Sequence, residues 1–492
     1  MAASIVGKSA GFVLLAGLVF SACDAQKALT NKRIAGVEHG LLRAVYLKGL
    51  KPDKLALADR MRFYQVPGVS LAVLDKNAIE WSRTYGEKDI QTHQALTADT
   101  VFQAGAFSQM MTAAAALRLA GEGKLDLEAD IGPLLKSWRL PPPSESPAKS
   151  KITLRALLTH SANVSDHVFL GYAQGEPLPT LPQILDGEPP ANSGPAWVPA
   201  RKGSALRTRY SEPGYMIAEQ ALIDAAGTPF PALMDAAVLG PLGLKNSTFA
   251  LPLPDAFRAR AATGHVRGGP PVTGLWQNYP EAAAKGLWTT PADFAAFVLD
   301  LLHAAAGAPG KILPPAAART MLSAQAESYG YGFVVEGKGD DILYDLRGKT
   351  HGYACFMAFY PSKGQGAVIM TNSDNGFFLI QEIMAGLSEA YGWAHYKPEE
   401  KSVLRLDPGA YGEFAGTYEV NPNYRLEVTH EDYYLVIKPT SQAATKFYAE
   451  GQTLFYATDP YVRIQFLRNK AGEVEGLVLW QQDFELEAKK VR

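Results

Sequence analysis

The chain contains one serine that is followed three residues later by a lysine, in Ser146-Pro147-Ala148-Lys149. On a buried helix such a pair lies on one face, where the lysine can take the proton of an attacking serine hydroxyl. Here the pair follows the run Pro141-Pro142-Pro143, which is typical of an irregular loop. We therefore do not predict that Ser146 and Lys149 act as a catalytic pair.

The nine histidines are scattered along the chain, without a His-x-His or His-x-x-x-His pair. Metal sites built on one helix or strand use such close spacings of ligands. The sequence therefore predicts no metal site, and it contains no motif that calls for a cofactor.

The elements that must position any site mix the hydrophobic periods of strands and helices. Val69–Leu74 and Ala367–Thr371 are apolar runs typical of buried strands, whereas Ala113–Leu119 and Met216–Ala225 are typical of buried helices. Strands near both ends with helices between them predict an α+β fold, in which a helical region flanks an antiparallel sheet.

The segment Thr153–Ser161, Thr-Leu-Arg-Ala-Leu-Leu-Thr-His-Ser, resembles the Thr-Leu-Arg-x-Leu-Leu-Thr-His-Thr segment of the serine β-lactamase and penicillin-binding superfamily. Other segments similar to family segments follow the family order: Phe102–Ala113, Gly121–Leu127, Tyr210–Tyr215, Pro241–Leu244, Gly286–Asp293 and Tyr360–Asp374. The nearest branch is that of the β-lactamase-related serine hydrolases and esterases. The resemblance implies a β-lactamase-like transpeptidase fold and acyl-transfer chemistry.

In that family a serine at the start of a buried helix attacks the substrate, and a lysine three residues later takes its proton. The alignment places Ala106 at the serine position and Gln109 at the lysine position. A methyl group cannot attack a carbonyl, and a neutral amide cannot accept a proton near neutral pH. Ser108 lies about 200° around the helix from Ala106 and cannot replace the missing serine.

Tyr210-Ser211-Glu212 is similar to the family's Tyr-x-Asn segment, so Tyr210 is the one family catalytic position that is retained. Glu212 is an acid where the family has a neutral residue. We favour a solvated or hydrogen-bonded loop carboxylate at this position. The alternative is a new general base whose pKa is raised by the cleft.

The family's strand-edge His-x-Gly aligns with Leu346-Arg347-Gly348, where Gly348 fits but Leu346 cannot donate a hydrogen bond. Lys349 and His351 are substitutes only if the strand register shifts by three residues, and an odd shift inverts the faces of a strand. His160 belongs to a segment that packs behind the site in the family, which implies a structural role.

Residues 1–23 have the features of a bacterial export signal, with Lys8, the apolar run Phe12–Phe20 and small residues before Cys23. The apolar run is too short to span a bilayer. Ser21-Ala22-Cys23 resembles a lipoprotein signal, in which the cysteine is lipidated; the alternative is an ordinary secretory signal with an incidental cysteine. We predict a periplasmic protein that is anchored to a bacterial membrane through lipid on Cys23.

The composition changes near residue 396, where a charged linker precedes short apolar segments separated by turn residues. Such a pattern predicts an all-β barrel or sandwich. The predicted boundaries are a signal at 1–23, a linker or helix at 24–50, the β-lactamase-related domain at 51–395, a linker at 396–408 and a barrel-like domain at 409–492.

The charges nearly cancel, since 47 Lys and Arg residues face 49 Asp and Glu residues, and this balance gives no field that would attract nucleic acid. The predicted partners are a small-molecule or peptide-like ligand and, through the lipid, a membrane. The predicted function is that of a pseudoenzyme whose cleft binds a peptide, amide or ester. The alternatives are a hydrolase that uses Tyr210, Glu212 or His351, and an interaction protein that acts through the C-terminal β domain.

Overall fold

The computed structural model of the protein describes residues 9–141, 151–197, 208–481 and 484–491, with side chains from residue 24 onward except that of Phe484. The chain divides into two units, one formed by residues 61–377 and the other by residues 1–60 together with 378–492. The helices are α1 (Ser9–Glu38), α2 (Leu57–Tyr64), α3 (Phe107–Gly121), α4 (Leu154–Leu158), α5 (Leu181–Asp186), α6 (Glu212–Ala226), α7 (Phe230–Met234), α8 (Gly240–Leu242), α9 (Asp255–Arg258), α10 (Ala282–Lys285), α11 (Pro291–Ala305), α12 (Pro315–Met321) and α13 (Gly376–Tyr391).

Strands alternate with these helices in the first part of the chain and dominate its last part. The strands are β1 (Val45–Leu47), β2 (Gly68–Asp75), β3 (Ala78–Asp89), β4 (Gln94–Ala95), β5 (Phe102–Gln103), β6 (Trp288–Thr289), β7 (Val334–Glu336), β8 (Leu343–Thr350), β9 (Tyr353–Tyr360), β10 (Gln365–Thr371), β11 (Glu399–Lys401), β12 (Gly416–Asn421), β13 (Tyr424–Glu431), β14 (Tyr434–Pro439), β15 (Thr445–Ala449), β16 (Leu454–Thr458), β17 (Tyr461–Arg468), β18 (Val474–Gln481) and β19 (Phe484–Lys490).

A seven-stranded sheet in the order β4-β3-β2-β10-β9-β8-β7 forms the centre of the 61–377 unit. All neighbouring strands in it are antiparallel, with Ile369 of β10 opposite Leu71 of β2 on one side and Phe356 of β9 on the other. Every residue of β2 and β9 is buried, because helices and loops cover the sheet. The predicted α+β fold with an antiparallel sheet is confirmed.

Helix α3 is the central helix of this unit. Its sequence is rich in alanine, which has the highest helix propensity, and its residues from Phe107 to Ala116 are all buried. Gly123, with φ of +72°, follows the helix and adopts the left-handed conformation that glycine tolerates at helix ends. A helix buried on every side must be placed by packing, so the residues at its start are held rigidly.

Helix α6 begins at a strong capping signal. The Ser211 side chain accepts a hydrogen bond from the backbone N–H of Gly214 at 3.0 Å, and Pro213 occupies the first turn, where its missing N–H has no cost. Glu212 is therefore the first helical residue, and the helix dipole favours a negative charge there. Gly227, with φ of +66°, ends the helix.

In the other unit, strands β12 to β19 form a closed barrel. A 3-10 helix at Pro408–Phe414 contributes Tyr411 and Phe414 to its interior, where the Phe414 ring lies 5.1 Å from that of Phe455 and 4.6 Å from that of Phe466. Aromatic side chains thus fill the barrel as a core. The predicted C-terminal β domain is confirmed, as a barrel and not a sandwich.

Buried charges connect this barrel to α2 and α13 within the same unit. Arg60 bonds both carboxylate oxygens of Glu382, at 2.7 and 2.8 Å, and also Asp459 at 2.5 Å. Arg60 and Glu382 are less than a tenth exposed. This arrangement satisfies the guanidinium with two carboxylates, as burial of a charge requires.

The N-terminal segment forms the long helix α1, from Ser9 to Glu38. The side chain of Cys23, the predicted lipidation site, lies outside the described residues, so this prediction stays open. Among the residues with described side chains, no single helix is long and apolar enough to cross a bilayer. The bent helix pair Glu212–Ala226 and Phe230–Leu242 meets the requirement by length and composition alone. Most of Glu212–Ala226 is buried in the core.

Candidate functional site

The start of α3 is the position at which the resemblance places the nucleophile. Ala106 immediately precedes the helix and is 5% exposed. Gly105, with φ of +53°, precedes it, and a Cβ on Gly105 would lie 2.6 Å from the backbone nitrogen of Lys349. The start of α3 therefore lies directly against strand β8, which carries the predicted strand-edge residues.

Gln109 is hydrogen-bonded to the retained tyrosine. Its Nε2 donates to the Tyr210 hydroxyl at 2.7 Å, and that hydroxyl lies 3.4 Å from Glu212 Oε1. Burial, and after it the charge of Glu212, raises the pKa of Tyr210 well above its ordinary value. The phenol therefore stays protonated near neutral pH and cannot act there as a base. The structure brings together three of the predicted site residues: Gln109, Tyr210 and Glu212.

Glu212 forms a closed set of polar contacts with Lys285 and the backbone of Phe169. Lys285 Nζ lies 3.1 Å from Glu212 Oε1 and donates to the Phe169 carbonyl at 2.7 Å. The Phe169 N–H donates to Glu212 Oε2, also at 2.7 Å. Both charged side chains are less than a tenth exposed. The carboxylate is thus held by a cation and a backbone donor.

The environment of Glu212 corrects part of our expectation for it. The residue is hydrogen-bonded, as we favoured, but it is buried at the first turn of α6 and does not lie in a solvated loop. Burial raises the pKa of its carboxyl, and the Lys285 ammonium opposes that rise. The ion pair is the physical reason that an acid can occupy this position.

Lys285 is the site residue that sequence reasoning missed. It lies in α10, a four-residue helix that follows Glu281. The available signal was a single lysine in the otherwise apolar run Ala282-Ala283-Ala284-Lys285-Gly286-Leu287-Trp288. A charge inside such a run is either at the surface or paired, and here it is paired.

Ser108 has a structural environment. Its hydroxyl donates to the Gly105 carbonyl at 2.7 Å and accepts a hydrogen bond from the Leu287 N–H at 3.0 Å. The side chain is fully buried. Through these two bonds the Ser108 hydroxyl connects the start of α3 to the segment before β6.

Strand β8 places the predicted strand-edge residues on two faces. Leu346 and Gly348 are buried, whereas Arg347 and Lys349, which alternate with them, are exposed. A Cβ on Gly348 would collide with the carbonyl oxygen of Ala104, so a glycine is required at this close approach. Because the faces alternate, Lys349 does not share the buried face of Leu346.

His351 lies just beyond β8 and is 44% exposed. Its backbone N–H donates to the Tyr279 hydroxyl at 3.0 Å, and its ring Nδ1 lies 3.9 Å from Asp374 Oδ2. The structure shows no contact that would connect the His351 ring to Gln109, Tyr210 or Glu212 within the described residues.

His160 has the contacts of a structural residue. Its Nδ1 accepts a hydrogen bond from the Ser211 N–H at 3.0 Å, and its ring lies 4.7 Å from the Tyr210 ring. Burial lowers the pKa of His160 to about 4, so the imidazole is neutral and can accept that bond. His160 thus supports the residue next to Tyr210 from behind.

Other groups with potential chemistry are placed as follows. Ser146 and Lys149 lie outside the described residues. The Cys355 thiol is fully buried, and burial raises its pKa, which makes it unreactive. Among the described side chains, no three His, Cys, Asp or Glu residues come together in a way that could hold a metal ion.

Comparison with known proteins agrees with this architecture. The family model described as Beta-lactamase matches residues 55–387, which is more than half of the chain. The fold is that of the serine β-lactamases and penicillin-binding proteins. The chain belongs to the beta-lactamase family.

Individual relatives are distant. A beta-lactamase of Pseudomonas fluorescens is 26% identical over 357 residues, which covers 64% of this chain and 90% of that protein. The D-alanyl-D-alanine-carboxypeptidase/endopeptidase AmpH of Escherichia coli K12 is 25% identical, covering 62% and 80%. The structure of the octameric penicillin-binding protein homologue from Pyrococcus abyssi has a TM-score of 0.57 at 19% identity and covers 88% of this chain and 98% of its own, so it supports the fold.

Proposed function

We propose that this protein binds a peptide, amide or ester ligand in the cleft at the start of α3 without forming an acyl-enzyme. The observation that carries the proposal is the pair of residues on the first turn. Ala106 has no nucleophilic atom, and Gln109 is a neutral amide engaged with Tyr210. Groups that position a ligand are separable from groups that react with it, so loss of the latter leaves binding intact.

The polar network behind the cleft supports the same proposal. Gln109, Tyr210, Glu212 and Lys285 form a continuous chain of contacts in which the one carboxylate is paired with the one ammonium. Tyr210 is held as a neutral phenol because its pKa is raised. Such an arrangement is rigid and offers no base to a substrate hydroxyl or water.

The relatives guide the choice of ligand. AmpH is named as a D-alanyl-D-alanine carboxypeptidase and endopeptidase. We therefore propose a cell-wall type peptide ending in D-alanyl-D-alanine as the ligand class. In this proposal the ligand lies against Ala106, before the start of α3, and against strand β8, which packs beside it.

Export and anchoring belong to the same proposal. The support is the sequence of residues 1–23, with its apolar run before Ser21-Ala22-Cys23. In a bacterial host, palmitate labelling and a membrane location are expected for the natural chain and loss of both for Cys23→Ser. An unlabelled, freely released natural chain would contradict lipidation.

A second candidate function rests on Glu212. Burial raises the pKa of its carboxyl, and perturbed acids of this kind are common at catalytic sites, so a rearranged hydrolase is the competing proposal. Hydrolysis of p-nitrophenyl acetate that disappears in Glu212→Gln would favour it. The third candidate, an interaction protein acting through the barrel, predicts that neither ligand nor ester affects the 61–377 unit.

The test of the proposal is ligand-induced stabilisation without turnover. Diacetyl-L-lysyl-D-alanyl-D-alanine is expected to raise the Tm of the full chain in a saturable manner, while no D-alanine is released. Ala106→Phe fills the cleft and is expected to remove the shift. Ala316→Phe, on the exposed side of α12, is the matched control and should keep it.

Three outcomes would contradict the proposal. Released D-alanine would show an active enzyme, and a Tm that does not respond to the peptide would show that the cleft does not bind this class. A shift that persists in Ala106→Phe would place the binding elsewhere.

A further inference from the structure

A cavity of about 620 Å³ lies beside α6, and its lining does not include Ala106, Gln109, Tyr210 or Glu212. Its walls come from α6, the start of α7 and the segment that leads into α10. They are mostly apolar, and include Ile223, Pro229, Phe230, Phe249, Leu251 and Tyr279. This volume is in the range of cavities that hold small organic molecules.

A buried carboxyl lies in this apolar wall. Glu219 is 4% exposed, and its Oε2 accepts a hydrogen bond from the Ala283 N–H at 2.7 Å. Burial raises the pKa of Glu219 to about 8. The acid is therefore mostly protonated at neutral pH when the cavity is empty.

Glu281, the residue before α10, is fully buried. Neither of its carboxylate oxygens has a hydrogen-bond partner among the residues that the structure describes. Burial also raises its pKa to about 8, and its charge contributes to the raised pKa of Glu219. The charge of Glu281 therefore disfavours ionisation of Glu219. At Glu281 itself, the Lys285 ammonium, which is paired with Glu212, opposes the rise of the pKa.

The charged groups nearby are already engaged. Lys285 contacts Glu212 and the Phe169 carbonyl. At the rim, Asp224 accepts hydrogen bonds from the backbone N–H groups of Lys136 and Ser137, and Lys136 Nζ lies 3.3 Å from the Asp224 carbonyl. The region thus combines an apolar cavity with more buried carboxyls than buried cations.

We propose that this cavity binds a small primary amine with an apolar body, whose ammonium group pairs with Glu219. The apolar body would replace water against Phe230 and Phe249, and the ammonium would supply the missing positive charge. Binding of the ammonium to protonated Glu219 forms a carboxylate–ammonium pair and releases one proton to solvent. Because Ala106 does not line this cavity, the test of amine binding can fail or succeed separately from the test of the proposed function.

Calorimetry of the full chain with phenethylamine tests the proposal. Near pH 7 Glu219 is mostly protonated, so binding should release close to one proton per site. Because phosphate and Tris take up a proton with different enthalpies, the binding heats in the two buffers should differ accordingly. The affinity should increase toward pH 8. The neutral isostere 2-phenylethanol should bind at least about tenfold more weakly, since it cannot form the ion pair.

Two variants of nearly identical shape separate the roles of the acids. Glu219→Gln keeps an acceptor for the Ala283 N–H but removes the charge, so amine affinity should fall at least about tenfold and proton release should stop. Glu281→Gln is the matched control. It should keep amine binding and still release close to one proton per site near pH 7, because burial, the largest cause of the raised pKa of Glu219, is unchanged.

The proposal is overturned by equal affinity for the amine and the alcohol, by no binding of phenethylamine up to about 10 mM, or by unchanged binding in Glu219→Gln. If Glu219→Gln does not fold, Ile223→Trp, which fills the cavity from α6, must abolish binding. Retained binding in that variant would equally overturn the proposal.

Discussion

Lys285 Nζ lies 3.1 Å from Glu212 Oε1, and both side chains are almost completely buried. The pair also holds the backbone N–H and carbonyl of Phe169. The acid next to the retained tyrosine is therefore part of a structural ion pair that fixes the segment around Phe169. A carboxylate that is held by a cation and a backbone N–H in this way is expected to have a structural role.

Breaking the ion pair from one side should be costly. Lys285→Met leaves the Glu212 carboxylate buried without its cation, and we expect the free energy of unfolding to fall by about 3–5 kcal/mol. The double variant Lys285→Met with Glu212→Gln should be more stable than Lys285→Met alone, because no buried charge remains. Urea denaturation measures both.

The control for this cycle is Glu122→Gln, which breaks the surface ion pairs of Glu122 with Arg118 and Lys124. It should change stability by about 0–1 kcal/mol, as exposed pairs do. If the effects of Lys285→Met and Glu212→Gln simply add, the two residues do not interact in the folded protein.

Stability should decrease as the pH rises from about 6.5 to about 8. Glu219 and Glu281 have pKa values of about 8 when folded and about 4.5 as free side chains, so the folded state binds more protons in this interval. Each group should lower the unfolding free energy by about 1 kcal/mol per pH unit. His160, whose pKa is about 4 in the folded protein, lowers the free energy of unfolding only as the pH falls below the ordinary pKa of histidine, about 6.5. It therefore does not contribute in this window.

Urea titrations at the two ends of this window check the prediction. Glu281→Gln should reduce the slope by about half, because one of the two groups no longer titrates. A slope that is unchanged in this variant, or a natural chain whose stability does not depend on pH in the window, would mean that these carboxyls are not protonated in the folded state.

Ser108→Ala should destabilise the protein by about 1–3 kcal/mol, because the Gly105 carbonyl and the Leu287 N–H both lose a buried partner. Ser402→Ala removes an exposed serine and should stay within about 0.5 kcal/mol of the natural chain. Denaturant unfolding distinguishes the two. Unchanged stability together with lost ligand binding would instead place the Ser108 hydroxyl in the cleft.

Restoring the missing pair should restore little activity. Ala106→Ser with Gln109→Lys puts a hydroxyl and an amine at the start of α3, but Leu346 still offers no hydrogen-bond donor on β8. Loss of one such donor lowers the rate by a factor on the order of 10² to 10³, so acylation by a fluorescent penicillin should be slow at best. Adding Leu346→His should raise that rate at least about tenfold.

Arg347→His is the matched control for the third substitution, because it introduces the same side chain on the exposed face of β8. It should leave the rate of the double variant unchanged. If the double variant alone turns over penicillin rapidly, the strand-edge element has not decayed and Lys349 or His351 already serves it.

Sequence reasoning reached the parts of the fold that depend on local pattern. The apolar runs Val69–Leu74 and Ala367–Thr371 became neighbouring strands, and the alanine-rich run became α3. The placement of Gln109 against Tyr210 followed from motif spacing, because each lies at a fixed offset from a segment that the fold brings to one place.

The remaining features depend on contacts between distant parts of the chain. Lys285 lies in a short helix that carries no periodic signal, and its partner Glu212 is on another helix. Strand β19, which closes the barrel by pairing with β12, has the sequence Phe-Glu-Leu-Glu-Ala-Lys-Lys. Because it contains many charged residues, its hydrophobic pattern alone does not predict a strand that closes a barrel. Such pairings are decided by tertiary packing and not by local propensity.

The central claim is that the cleft binds without acylation, and the mass of the intact protein after incubation with a fluorescent penicillin tests it most directly. The account predicts an unchanged mass, because Ala106 has no nucleophilic atom and the Ser108 hydroxyl is buried between Gly105 and Leu287. Ala106→Ser with Gln109→Lys serves as the positive comparison. A stoichiometric adduct on the natural chain, mapped by peptide sequencing to Ser108, Ser146 or Ser211, would contradict the claim.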